Sequence, residues 1–254
     1  MITGKEIRLS KIFGADGKAV IVACDHGMHM MPLDGIRNMF ETSKNLKAAD
    51  GVLVSPGNAK LLKDFFKGKN APAMIIRGDT LTGVRDVAVP EFDGITNVIE
   101  PEDVLRLGGM AILMSHIIGF EDTRIEAASI ERVAKTCRKC EILGLPVIVE
   151  AAPFGRKLIN DPLDGEIMKR LCRSSMEYGA DVIKTLYTDN FKEIVKCVQI
   201  PMLVLGGGKS TEDGTYNLVD KAMKAGAKGV VIGRNITQAK NPEGFLGKII
   251  KRVH

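Results

Sequence analysis

Lys184 closes the apolar run ADVIKT at residues 180–185. A lysine is rarely buried unless it is paired or put to use. Either its side chain snorkels out of a strand end, or its amine is held where chemistry needs it. An inward-facing neutral amine can attack a ketone, and the imine then acts as the electron sink for breaking a carbon–carbon bond. Burial and a nearby cation both favour the neutral amine. Arg156 and Lys157, just past the run PVIVEA (146–151), are candidates for that cation.

Such chemistry also needs a group that moves protons. Three side chains qualify. Asp25 follows the run AVIVAC (19–24) and stands at a strand end. Glu150 shares the inward parity of position 152, because side chains alternate along a strand. Tyr187 is three residues past Lys184 and reaches the same side only if the chain has already turned. Asp25 is therefore expected as the main acid/base, with Glu150 orienting the lysine.

A second group of residues suits an anion. Gly206, Gly207 and Gly208 precede Lys209 and Thr211, which could cap a new helix. Backbone amides approach an anion closely only where side chains are absent. Gly233 and Arg234 open a second loop of the same kind. Both loops are read as a phosphate site, with Arg234 and Lys209 supplying charge. Arg77 ends the run PAMIIR, where it either clamps a second phosphate, sulfonate or carboxylate or pairs with Asp79. His26 is a candidate substrate contact and Ser55 a weaker one. His29 lies among methionines in HGMHMMP and reads as a loop histidine.

These residues need elements to position them, and one rhythm supplies them. Short apolar runs occur at 19–24, 51–55, 72–77, 110–115, 146–151, 180–185, 201–206 and 229–233, with helical patterns between most of them. The stretch between the third and fourth runs is the least regular; only PEDVLRL looks helical there. Continuous apolar strands alternating with helices imply a parallel sheet covered on both faces. Eight such units in 254 residues predict a single-domain α/β fold, a (β/α)8 barrel over residues 1–254, with its site at the C-terminal strand ends. No G-x-G-x-x-G follows the first run, which argues against a dinucleotide-binding sheet.

Composition narrows the classes. The net charge of +5 is dispersed, and three Tyr, nine Phe and no Trp leave few stacking platforms, so nucleic acid is disfavoured as a partner. The sequence has neither a membrane-length apolar stretch nor a signal-peptide pattern, which reads as cytoplasmic without a membrane partner. Five cysteines, an odd count, fit reduced thiols, and the lone Cys137-x-x-Cys140 pair reads as structural. The four histidines have no metal-ligand spacing. No metal and no cofactor are expected.

Four motifs, taken in order, are specific together: VACDHG (22–27), GADVIKTLYT (179–188), GGGK (206–209) and VVIGRNI (230–236). The chain resembles the archaeal-type class I fructose-1,6-bisphosphate aldolases and their relatives, the 2-amino-3,7-dideoxy-D-threo-hept-6-ulosonate synthases. The resemblance implies a (β/α)8 barrel, a Schiff-base lysine at Lys184 and a carboxylate at Asp25. It also implies a phosphate at Gly206, Gly207, Gly233 and Arg234, no metal, and a homo-oligomer. Where the family usually reads Tyr-Pro-Arg-Gly, this chain has Ala152-Pro153-Phe154-Gly155; Thr188-Asp189-Asn190 replaces Thr-Gly-Asp, and Gly208 stands where proline is usual. The expected substrate is a phosphorylated ketose, by default fructose 1,6-bisphosphate. The alternatives are a transaldolase-type synthase using the same imine and a barrel that binds a sugar phosphate without cleaving it.

Overall fold

The computed structural model describes residues 3–30, 33–82, 94–155, 157–158 and 164–254. Its elements, in chain order, begin with α1 (Thr3–Ile12), β1 (Ala19–Ala23), a 3-10 turn at His26–Met28, α2 (Met39–Lys44), β2 (Gly51–Val54), α3 (Pro56–Leu61) and β3 (Ala73–Arg77). Then come β4 (Asp79–Thr82), β5 (Gly94–Asn97), α4 (Pro101–Arg106), β6 (Ala111–Ile117), α5 (Thr123–Leu143), β7 (Val147–Ala152) and α6 (Gly165–Glu177). The chain ends with β8 (Val182–Thr185), α7 (Phe191–Val198), β9 (Met202–Leu205), α8 (Glu212–Lys224), β10 (Gly229–Ile232), α9 (Arg234–Thr237) and α10 (Pro242–Val253).

Each of the eight apolar runs forms one barrel strand. The strands close in the order β1-β2-β3-β6-β7-β8-β9-β10, and β10 pairs in parallel with β1. The runs are apolar throughout because both faces are buried. Ile21, Leu53, Ile75, Leu113, Ile148, Val182, Leu203 and Val231 fill the interior, with Ile12 of α1 among them. The alternate residues, such as Val20, Val52, Ile76, Val147 and Val204, pack against the helices.

A hairpin and two helices went unread in the sequence. The hairpin β4–β5 is antiparallel and separate from the barrel. Its four-residue strands are only partly buried, so they carry little apolar alternation. Helix α7 buries Phe191, Ile194 and Val198, a helical stripe cut short at eight residues. Helix α1 is held by Lys5, whose Nζ lies 2.9 Å from Asp181 Oδ1 and 2.5 Å from Glu141 Oε2. Cys137 and Cys140 are buried on α5, and burial pushes both thiols up to about 12. Among the described residues, no helix is long and apolar enough to cross a membrane.

Candidate active site

The site begins with strand register. Glu150 on β7 pairs with Ser115 on β6 and with Lys184 on β8. Parallel partners share a height in the barrel, so these three side chains form one polar layer above the apolar interior. Lys184 is buried, with Nζ 2.6 Å from Glu150 Oε1. The other Glu150 oxygen lies 2.6 Å from Arg77 Nη1. The same nitrogen reaches Asp25 Oδ2 at 3.3 Å.

These contacts set the charges. Burial by itself would raise the Glu150 carboxyl, but Lys184 and Arg77 outweigh it and hold the group far below the ordinary carboxylate range. Asp25 follows the same logic: burial opposes ionisation, and Arg77 and Lys184 overcome it, so its pKa is lowered. Both groups are therefore carboxylates at neutral pH, able only to accept hydrogen bonds. His26 lies 3.9 Å from Asp25, and burial, with the nearby Lys184 and Arg234, lowers its pKa against the pull of Asp25.

Arg77 is the hub of this layer. Its Nε lies 2.9 Å from Asp79 Oδ1, and its Nη2 bonds Ser115 Oγ. Asp79 Oδ2 accepts from the Ser115 amide and from Arg132 Nη1, each at 2.6 Å. Burial would lower the Arg77 pKa, but Asp79, Glu150 and Asp25 raise it above the usual guanidinium value. The expected clamp on a second phosphate is thus corrected. Arg77 borders the cavity, but its three nitrogens are engaged with the protein, and it pairs with Asp79 as the other reading had it.

The opposite wall is made of backbone. Gly207 has φ of 66°, in the left-handed region that favours glycine. A Cβ at Gly207 or Gly208 would meet nothing within 4 Å, so this loop presents bare backbone to open space. Asn235 pins it: Oδ1 accepts from the Ser210 amide at 2.8 Å, and Nδ2 donates to Gly206 O at 3.2 Å and Gly208 O at 3.1 Å. Gly233 is constrained by packing, since a Cβ there would lie 2.5 Å from His26 Cε1 and 2.8 Å from Ala23 O. Arg234 Nη2 donates to Gly207 O at 3.2 Å, while its Nε is buried without a hydrogen-bond partner among the described residues.

One cavity of about 360 Å³ joins the two walls. Lys184, Asp25, Glu150, His26 and Arg77 line it with Gly206, Gly207, Gly208, Gly233 and Arg234, and Met30, Leu81, Phe154 and Leu186 add an apolar part. Four candidates are placed elsewhere. Tyr187 stacks on Phe191, ring centroids 5.7 Å apart, because strand alternation turns Leu186 inward in its stead. Lys157 is exposed and faces Glu121, 3.3 Å from its carbonyl oxygen, so it is not the cation beside Lys184; that cation is Arg77, across Glu150. Arg156 lies outside the described residues. Lys209 Nζ reaches the carbonyls of Arg234 and Gln238 at 3.4 and 3.3 Å and does not border the cavity. Ser55 caps α3 by accepting from the Asn58 amide.

Several site residues were not singled out from sequence. Asn235 was visible inside the second loop, but its clamp on the first depends on the fold. Arg132 sits on α5 among other charged residues and has no sequence signal. His29 borders the cavity despite its loop-like context.

A barrel with a buried lysine, two carboxylates and a wall of bare glycine backbone around one cavity has the parts of a carbon–carbon lyase. The family model for DeoC/LacD family aldolases matches residues 19–239, and the chain belongs to that family. It is 30% identical to an uncharacterized aldolase of Saccharolobus solfataricus, over 99% of this chain and 94% of that protein. It is 29% identical to 2-amino-3,7-dideoxy-D-threo-hept-6-ulosonate synthase 1 of Archaeoglobus fulgidus, over 99% and 90%. Two solved structures of an archaeal fructose 1,6-bisphosphate aldolase superpose with TM-scores of 0.82 and 0.81, each at 25% identity and 99% coverage of both chains. In the second, the catalytic lysine is covalently bound to the carbinolamine intermediate.

Proposed function

We propose that the protein is a class I aldolase acting on a phosphorylated ketose, with Lys184 as the imine-forming residue. The observation that carries this reading is the Lys184 amine, buried 2.6 Å from Glu150 in the cavity that also holds the glycine loops. Glu150 takes a proton from Nζ, which attacks the ketone carbon to give a carbinolamine. Glu150 returns that proton to the carbinolamine hydroxyl, which departs as water and leaves the protonated imine. Asp25 removes the proton of the hydroxyl on the far carbon of the bond to be broken, the carbon that becomes the aldehyde. That bond cleaves, its electron pair passes into the imine to give an enamine, and the aldehyde departs. Asp25 returns its proton to the enamine carbon, and hydrolysis of the imine releases the second product and the free lysine. The Gly206–Gly208 loop and Arg234 hold the phosphate, and the imine makes a metal electron sink unnecessary.

Fructose 1,6-bisphosphate is the default substrate, supported by the structural likeness. The likeness to the Archaeoglobus fulgidus synthase favours a second reading, transaldolase-type synthesis through the same imine, while Ala152, where the family usually has a tyrosine, favours a barrel that binds a sugar phosphate without cleaving it. A cytoplasmic homo-oligomer remains part of the proposal. Borohydride reduction with a panel of ketose phosphates tests it. A stable mass should appear on the peptide containing Lys184 and vanish in Lys184→Met together with turnover. An adduct on another lysine, or none with any ketose phosphate, would overturn the assignment.

A further inference from the structure

His29 has no part in the steps above, yet its ring is fixed in place. The Leu81 amide donates to its Nδ1 at 3.2 Å, and Thr80 Oγ1 lies 3.1 Å from the same atom while its hydroxyl reaches Met28 O at 3.1 Å. A nitrogen that accepts an amide proton carries none of its own, so the neutral ring has its proton on Nε2. That nitrogen is buried and has no hydrogen-bond partner among the described residues. The side chain is 9% exposed and borders the same cavity as Lys184. A buried polar atom without a partner calls for an explanation.

The neighbouring carboxylate suggests one. Nε2 lies 3.9 Å from Asp25 Oδ2. This is too long for a direct hydrogen bond, and it leaves room for one oxygen to bond both groups at roughly 2.8 Å. We propose that His29 donates a hydrogen bond from Nε2 to the substrate oxygen whose proton Asp25 accepts. The inference rests on the imine reading and adds a substrate contact to it. In cleavage, the hydroxyl proton passes to Asp25 and the oxygen becomes the aldehyde carbonyl. In the reverse direction that oxygen gains negative charge, and the Nε2 proton stabilises it without leaving the ring. The imidazole ends each direction as it began, so no further proton acceptor is needed. The charged groups facing the ring are Arg77, Asp25, Asp79 and Glu150. Burial and Arg77 outweigh the three carboxylates and push the His29 pKa down to about 4, which keeps it a neutral donor near pH 7.

The test compares wild type with His29→Leu and His29→Gln. Both variants lose the Nδ1 acceptor, but glutamine keeps a donor near the position of Nε2. Imine formation is read by borohydride trapping with dihydroxyacetone phosphate, and bond cleavage by turnover of ketose 1-phosphates and fructose 1,6-bisphosphate. The expected result is that His29→Leu traps at the wild-type rate but cleaves roughly 10²-fold more slowly, the scale for one lost transition-state donor, and that His29→Gln recovers most of the loss. Equal cleavage by His29→Leu, trapping lost in proportion to cleavage, or a glutamine variant no better than leucine would each overturn the role. Failure of wild type itself to trap would remove the imine reading, and His29's role with it. Nitrogen-15 spectra of wild type give a check that needs no variant: His29 should carry its proton on Nε2 from pH 6 to 8. A proton on Nδ1, or titration in that window, would refute the proposal.

Discussion

The two walls of the cavity are built in different ways. The Gly206–Gly208 and Gly233–Arg234 wall is backbone, held by Asn235 over a sequence distance of 25 to 29 residues. The opposite wall is a chain of charges, Arg132–Asp79–Arg77–Glu150–Lys184, with Asp25 on its flank. It gathers six side chains from five places in the sequence. Backbone amides are already paid for by the fold and bind an anion without bringing net charge into the interior. Buried charges must each be matched, because removing one partner strands the other. The first wall should therefore tolerate substitution as a change in binding, whereas the second should answer with both activity and stability.

The largest effect on that contrast is expected from Arg77→Met. It leaves Asp25, Asp79 and Glu150 without their shared cation, and breaking a buried pair costs about 3–5 kcal/mol. Denaturant unfolding should report a loss on that scale. A loss below about 1 kcal/mol would mean that the charge chain does not support the fold.

Asp25→Asn separates chemistry from support. Borohydride trapping at Lys184 should persist while turnover falls by at least ~10²-fold, the usual scale for one acid/base group. Normal turnover in Asp25→Asn with a collapse in Glu150→Gln would exchange the two roles.

Arg234→Ala probes the other wall. Binding of a phosphorylated ketose should weaken by roughly 1.5–3 kcal/mol, the range for a hydrogen bond to a charged group. The dephosphorylated analogue should be almost unaffected, and thermal stability nearly unchanged. Equal losses for both ligands would make Arg234 structural.

The smallest effect concerns pH. Glu150 and Asp25 have folded-state pKa values below their ordinary 4.5 and 3.8. A depressed carboxylate contributes stability that is complete above its unfolded pKa and is lost as pH falls through the folded one. Stability should thus decline as pH drops below about 4.5, with a shallower slope in Glu150→Gln. The same slope in both proteins would show that Glu150 does not contribute to acid unfolding.

The barrel was legible in the sequence because strands buried on both faces must be apolar throughout, and eight such runs punctuated by helices admit few architectures. Lys184 and the glycine loops were legible for a related local reason: a cation in an apolar run, and three bare backbone positions before a helix, are exceptions visible without neighbours. Only the tertiary structure decided the partners. Arg77 read as a free clamp until Asp79 of β4, Glu150 of β7 and Asp25, just past β1, were brought around it. Tyr187 read as a catalytic candidate until the chain past β8 kept the strand's alternation and left the ring stacked on Phe191. His29 read as a loop residue until the hairpin, itself unread, supplied the Leu81 amide that fixes its tautomer. Burial and period are properties of a segment, whereas a buried charge takes its meaning from groups far away in the chain, such as Asp25 and Glu150, 52 and 73 residues from Arg77.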